Sequence, residues 1–302
     1  MNVLIEKLLI FIALMLVGYA GARRGTFSRD FTRAASALTL NVFTSATVLN
    51  SVISNPPQMG GAELAYALLV CLLTLLLSYV VAFSLTRVLP IGGEKKPLFE
   101  MLIAVMNPMF IGVPVAEVLI GEQGVFYIAL GNVFFNLLLF TYGVWRIKGG
   151  QGGLRLKEIV SPLLICTVLA VVIFILRIPV PGILKDLIGK LSGATMPMSM
   201  VVIGASMGRV RLKDAFSEKT HYLVSLVRLL VMPLLAWLLF LVLPCDPVQR
   251  QAMLILSACP SGVVVSILAV QYGKDAEYCA KCILLDTMLS MLTIPILAHF
   301  LL

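Results

Sequence analysis

Apolar runs of about 20 residues recur along the whole chain, and that is the length an α-helix needs to cross the hydrocarbon core of a bilayer. Backbone polar groups find no water at that depth, so a spanning segment must satisfy them internally, as a helix or in a closed barrel. A barrel would show short segments of alternating polarity instead of long unbroken runs. Only 13% of the 302 residues are charged and 60% are hydrophobic, against the roughly 25% charge of a soluble domain. The chain therefore reads as an all-α integral membrane protein with lipid as the solvent for much of its surface.

The runs fall at roughly 3–22, 31–54, 62–89, 98–121, 124–146, 158–176, 183–206, 219–243, 249–272 and 275–301, which predicts ten spanning helices. No stretch between them is long enough for a separate domain. The start of the chain carries Glu6 and Lys7 rather than a basic cluster, so its first run is expected to be a span and not a cleaved leader. The net charge of +8 does not point to nucleic acid. Lys and Arg gather in the first loop (Arg23, Arg24, Arg29, Arg33), the third (Arg87, Lys95, Lys96), the central one (Arg146, Lys148, Arg155, Lys157) and the seventh (Arg209, Arg211, Lys213, Lys219). Cytoplasmic loops carry this excess, so both termini are expected outside. Cys279 and Cys282 form a lone CxxC without a second pair or a nearby His, so no metal or cofactor is expected.

Sliding the chain by about 152 residues lays Met101-Leu102-Ile103 on Met253-Leu254-Ile255, Pro108 on Pro260, Val118 on Val270, Gly121 on Gly273, Leu137 on Leu289 and Thr141 on Thr293. The chain thus divides into 1–148, a Gly-rich cytoplasmic linker at 149–157, and 158–302. Each half holds five spans, an odd number, so the halves must be inverted in the membrane. Inverted repeats with interrupted helices at matching positions mark secondary transporters.

Pro108 and Pro260 are those interruptions. Each removes a backbone donor and clashes with the preceding turn, about 14 Å into its span at about 1.5 Å per residue. Small and polar neighbours surround them: Asn107, Gly112 and Pro114 in one half; Ser257, Cys259, Ser261, Gly262 and Ser266 in the other. Two second half-helices are expected to begin near Met109 and Ser261, with their free N–H groups and positive dipole ends turned toward one region that favours an anion such as a carboxylate. Asn107 would add an amide donor, Ser261 a hydroxyl, and Pro108, Cys259 and Pro260 the surrounding backbone.

Other polar residues lie at membrane depth. Asn132 and Asn136 are four apart, share a helix face, and either bond neighbouring helices or line the site beside Asn107. Asp286 lies about 16 Å into the tenth span and Arg228 about 13 Å into the eighth. An ionisable group so deep is a functional candidate. Asp286 either pairs with Arg228 as a structural tie or carries a proton or sodium ion. Lys281 lies nearer the cytoplasm and can snorkel. Glu117, late in the fourth span, is a further coupling candidate or a solvated helix end. No Ser/His or His/Asp arrangement suggests an enzyme.

The segments Asn107-Pro108-Met109-Phe110-Ile111-Gly112-Val113-Pro114, Gly121-Glu122-Gln123-Gly124, Ala194-Thr195-Met196-Pro197, Ile203-Gly204-Ala205-Ser206, Cys259-Pro260-Ser261, Tyr272-Gly273 and Leu289 to Pro295, in this order across all ten spans, resemble the auxin efflux carrier family, in its bacterial form. The resemblance implies a fold like the bile acid sodium symporters and sodium–proton antiporters, with spans 4 and 9 crossing. It implies a scaffold (spans 1, 2, 6 and 7), usually joined in a homodimer, and a transport domain (spans 3–5 and 8–10) that slides as an elevator. In plant relatives the asparagine before the crossover proline contacts the substrate carboxylate, and Asn107 holds that place. Bacterial relatives are commonly assigned dicarboxylates. Two departures stand out: the second span, at Asn41-Val42-Phe43-Thr44-Ser45-Ala46, has no counterpart to Pro197, and Cys259 replaces a second asparagine. The expected function is a secondary carrier of small organic anions in a bacterial inner membrane. The alternatives are a sodium-coupled symporter of the bile acid type and a ligand sensor that keeps a carrier fold.

Overall fold

A computed structural model describes residues 2–54, 59–150, 161–209, 212–216 and 218–301. Of the expected linker at 149–157, residues 151–157, with Arg155 and Lys157, lie outside the described residues, as does Arg211. All regular structure among the described residues is helical, apart from one isolated bridge between Met106 and Ser261.

Among the described residues, besides one short turn of helix at Leu212–Ala215, the helices are α1 (Asn2–Arg23), α2 (Arg29–Ile53), α3 (Gly61–Val88), α4 (Lys95–Ala104), α5 (Pro108–Leu119), α6 (Glu122–Ile147), α7 (Pro162–Leu176), α8 (Gly182–Met207), α9 (Lys219–Val242), α10 (Pro247–Ala258), α11 (Val263–Gln271) and α12 (Ala276–Leu301). Six of these are long and apolar enough to cross a membrane: α2, α3, α6, α8, α9 and α12. Shorter apolar helices accompany them at Leu9–Arg23, Pro108–Leu119 and Pro162–Leu176. This is an integral membrane helical protein.

Local sequence sets the helix ends. Ser28 caps α2 through its hydroxyl, Ser161 caps α7 ahead of Pro162, and Asp246 accepts from Val248 N and Gln249 N at the start of α10. These are residues whose side-chain oxygens satisfy the first free N–H groups of a helix, and Pro at the first helical position fits because its missing donor would be unpaired there anyway. Gly121, at φ +86, turns the chain between α5 and α6, a conformation that side chains other than glycine resist.

The helices can be followed as two groups, which are themselves packed together through α2 on α6. α1 lies along α8, so closely that a Cβ at Gly18 would run into the Val201 carbonyl and one at Gly204 into that of Met15. Small residues of this kind let membrane helices approach backbone to backbone. α2 packs on α7 and on the first part of α8, and Thr47 there shares a hydroxyl contact of 2.6 Å with Thr195. In the second group α3 packs on α4 and α6, α6 on α10, and α12 on α9 and α11.

One interaction in the second group has no counterpart in the sequence reading. Glu100, on α4, is wholly buried and accepts from Arg146 Nε at 2.9 Å, from Thr86 Oγ1 at 3.2 Å and from Tyr142 Oη. Arg146 had the pattern of a loop charge, yet it lies inside α6 and pairs across to α4.

Candidate functional site

Both prolines break the helical path, and the two breaks meet. α4 ends at Ala104 and α5 starts at Pro108; α10 ends at Ala258 and α11 starts at Val263, two residues later than expected for the second half. The extended residues between them pair antiparallel. Asn107 N donates to Pro260 O at 2.9 Å, and Gly262 N donates to Val105 O at 2.8 Å. Backbone groups freed by the breaks thus satisfy one another, as they must where no water reaches. Glycine is required at 262, because a Cβ there would lie 2.5 Å from the Met106 carbonyl.

Asn107 serves this junction with three of its groups. Its N–H holds Pro260, its carbonyl accepts from Gly112 N at 3.2 Å, and its Oδ1 caps α5 by accepting from Phe110 N at 3.3 Å. With Oδ1 turned to the helix, the amide Nδ2 is the side-chain group that Asn107 has left to offer. Asn107 lines a cavity of about 130 Å³ together with Ser36, Phe110, Val202, Ile203, Ser206, Met207, Val263, Ser266, Ala280, Ile283, Leu284 and Thr287. A single water needs roughly 10–15 Å³ by such a measure, so a small molecule fits. No lining residue is ionisable. Ile203 and Thr287 also border a narrower apolar cleft of about 40 Å³, walled by Phe11, Met15, Ile111, Met200 and Met291 among others.

The other expected site residues are placed differently. Cys259 and Ser261 are wholly buried and do not line the cavity. The Cys259 thiol donates to Ile255 O at 3.3 Å and packs against Gly112. The Ser261 hydroxyl, expected as a ligand donor, contacts Leu102 O at 2.7 Å and the Asp286 carboxylate. Pro108 and Pro260 are likewise buried in the junction. Asn132 and Asn136 lie on α6 away from the cavity; Asn136 Nδ2 bonds back to Asn132 O at 2.8 Å, and Asn132 Nδ2 is buried without a partner.

Asp286 and Arg228 are both wholly buried, and they do not form a direct ion pair. Asp286 accepts from the hydroxyls of Ser225 and Ser261, and from Ser261 N at 3.4 Å. Its charge therefore sits at the entry to α11, whose positive end it offsets. The expectation of two half-helix ends both open to an anion is corrected on this point: the protein's own carboxylate serves the second break, and the Asn107 side chain lines the cavity at the first. Arg228 gives its donors to backbone carbonyls: Nε to Cys259 O at 2.9 Å, Nη1 to Ile103 O at 2.9 Å, and Nη2 to Ser257 O at 3.1 Å and Leu256 O at 3.4 Å. Lys281 pairs with Glu277 one turn away at 2.7 Å, far from any buried role. Glu117 is partly exposed near the end of α5.

Phe110, Thr287 and Ser225 had not been singled out. Only Ser225 left a trace in the sequence, three residues before Arg228 and so on the same helix face.

Paired half-helices around a buried junction are a transporter's architecture, and sequence comparison agrees. A family profile described as "Membrane transport protein" matches residues 3–156 and again 151–298. The chain belongs to this family, the auxin efflux carriers. It is 26% identical over 294 residues to an uncharacterized transporter of Methanothermobacter thermautotrophicus, covering 96% of each chain. It is 25% identical over 299 residues to an uncharacterized transporter of Methanocaldococcus jannaschii, again with 96% of each covered. Members of this family are membrane transporters and not enzymes.

Proposed function

We propose that the protein is a secondary transporter of small organic anions, with the substrate carboxylate held by Asn107 at the start of α5. The observation that carries this reading is the Asn107 side chain, its Oδ1 held by its own cap, lining a cavity with no ionisable residue. A carboxylate accepts hydrogen bonds and carries none to offer, so it matches an N–H donor beside the positive end of a helix. The adjoining apolar cleft suits an organic body rather than an inorganic anion. Because no cationic side chain lines the cavity, a single carboxylate fits better than the dicarboxylates suggested by bacterial relatives; a second buried charge would lack a partner.

We read the two packing groups as a scaffold (α1, α2, α7, α8) and a moving transport domain (α3–α6, α9–α12), in keeping with an elevator motion. The cavity lies where they meet, with Ser36 and Ile203 from the first group and Asn107 and Thr287 from the second. On this reading the repeat is inverted, the termini face outside, the membrane is a bacterial inner membrane, and the scaffold carries a homodimer contact.

A thermal-shift screen of purified protein against small mono- and dicarboxylates tests the reading, because a ligand that binds only the folded state raises its stability. Hits should then be taken up by proteoliposomes. Absence of any stabilising carboxylate, with uptake of none, would overturn it.

A further inference from the structure

We propose that the Arg228 guanidinium is a resident cation: it fills, with a covalently attached charge, the place at the junction where a mobile monovalent cation would otherwise have to bind. Each broken helix leaves carbonyls at the end of its first half without intrahelical partners, and those ends carry partial negative charge. Ile103 lies in the last turn of α4, Leu256 and Ser257 in the last turn of α10, and Cys259 just beyond it. All four carbonyls converge on one guanidinium. A cage of backbone carbonyls around a single positive centre is how membrane proteins replace the hydration shell of a monovalent ion.

Three further observations favour this role over a simple structural tie. Arg228 is wholly buried, so its charge touches neither lipid headgroups nor the cavity. Asp286 forms no direct ion pair with it and is bonded instead by Ser225, Ser261 and the Ser261 N–H. Arg228 also projects from a widened π-helical turn at Val227–Val231, and such turns are frequent at functional sites. The same position in the first repeat is Leu76, so only the second half supplies the charge, and it serves both breaks.

The consequence is that the substrate moves without an accompanying sodium ion or other cation. This last step rests on the transport reading; the cation site itself does not. Arg228 is thus a positioning residue, holding α4 and α10 together while Asn107 holds the substrate.

Purified R228A, without substrate, is heated in the presence of millimolar guanidinium chloride, sodium chloride or urea. The expected result is a rise in the unfolding midpoint of R228A with guanidinium and none with urea, its neutral isostere, while the wild type responds to none of them. In proteoliposomes R228A should lose Vmax about tenfold or more with KM within about twofold of wild type, and guanidinium should restore the rate. Indifference of R228A to guanidinium, an equal effect of urea, or wild-type uptake that requires sodium would overturn the proposal. Where R228A does not fold, R228K and R228Q decide: R228K should fold and transport at reduced Vmax without added cation, and R228Q should fail in folding or rate. An R228K no better than R228Q overturns it. If the wild type takes up no carboxylate, the transport reading fails, and the substrate-free melting experiment still decides the cation site.

Discussion

The main-chain N–H of Asn107 donates to the Pro260 carbonyl at 2.9 Å, so the residue proposed to hold the substrate is also the residue that ties one broken helix to the other. A substrate drawn to the Asn107 amide is therefore held beside the junction where the two broken helices meet. The residue has two duties: its Oδ1 caps α5, and Asn107 lines the cavity.

Removing that side chain separates the two duties. Asn107→Ala leaves the Asn107–Pro260 main-chain bond in place and deletes both the cap and the side-chain donor. Loss of a cap costs about 1 kcal/mol of stability, and loss of a hydrogen bond to a charged ligand about 1.5–3 kcal/mol of binding. The expected outcome is a folded protein with carboxylate affinity lowered roughly 10- to 100-fold, measured by calorimetry. Retained affinity would remove Asn107 from the site.

Gly262→Ala tests the junction itself. The added methyl would meet the Met106 carbonyl at 2.5 Å, and backbone on both sides leaves little room to yield. Overpacking of this kind costs about 1–3 kcal/mol. The variant should unfold at a lower temperature and transport poorly, whereas Gly92→Ala, which meets nothing within 4 Å, should behave as wild type.

Much of this was legible in the sequence. Apolar run length marked the helices, and the spacing of Pro108 and Pro260 marked the breaks. Asp286 stood out because a carboxylate in the run Leu284-Leu285-Asp286-Thr287 has no cheap place in lipid. What was hidden has a common physical cause. Arg228 is satisfied by carbonyls, which every residue carries, so no side-chain pattern foretells its partners. Phe110 and Thr287 line the cavity only because α5 and α12 face α8 across it. Glu100 looked like one more helix residue until Tyr142 and Arg146 were seen to reach it from α6.

Asp286→Asn asks whether the buried carboxylate takes part in coupling. Asn keeps the shape but offers an NH₂ group where Asp286 now accepts from Ser225, Ser261 and the Ser261 N–H. At least one of those donors then faces another donor, so stability is expected to fall by about 1–3 kcal/mol. Uptake is to be recorded from pH 5 to 8, roughly the range over which proton coupling would be visible, in both proteins. If Asp286 carries a coupling proton, the wild type shows a pH dependence and the variant is flat. A wild type that is already flat assigns Asp286 to the junction's structure alone, which is the outcome expected if Arg228 supplies the only cation the site needs.

A final prediction concerns the contact between the two packing groups. Asn50 on α2 donates through Nδ2 to Glu122 Oε1 at 2.7 Å, at the start of α6, and Ser54 Oγ donates in turn to Asn50 Oδ1 at 2.8 Å. This hydrogen bond crosses from the proposed scaffold to the proposed transport domain, so any sliding of one against the other must break it. A bond from a neutral donor to a carboxylate contributes about 1.5–3 kcal/mol when well formed, less here because the site is only half-buried. Asn50→Ala should therefore disfavour the present arrangement by about 1 kcal/mol, roughly a fivefold change in population. Its expected signature is a changed uptake rate with equilibrium carboxylate affinity little altered, since Asn50 does not line the cavity. Glu122→Gln keeps a carbonyl acceptor for Asn50 and should give a weaker form of the same change. If both variants transport at the wild-type rate, the Asn50–Glu122 contact is not broken in the rate-limiting motion, and the boundary between the two groups must be drawn elsewhere.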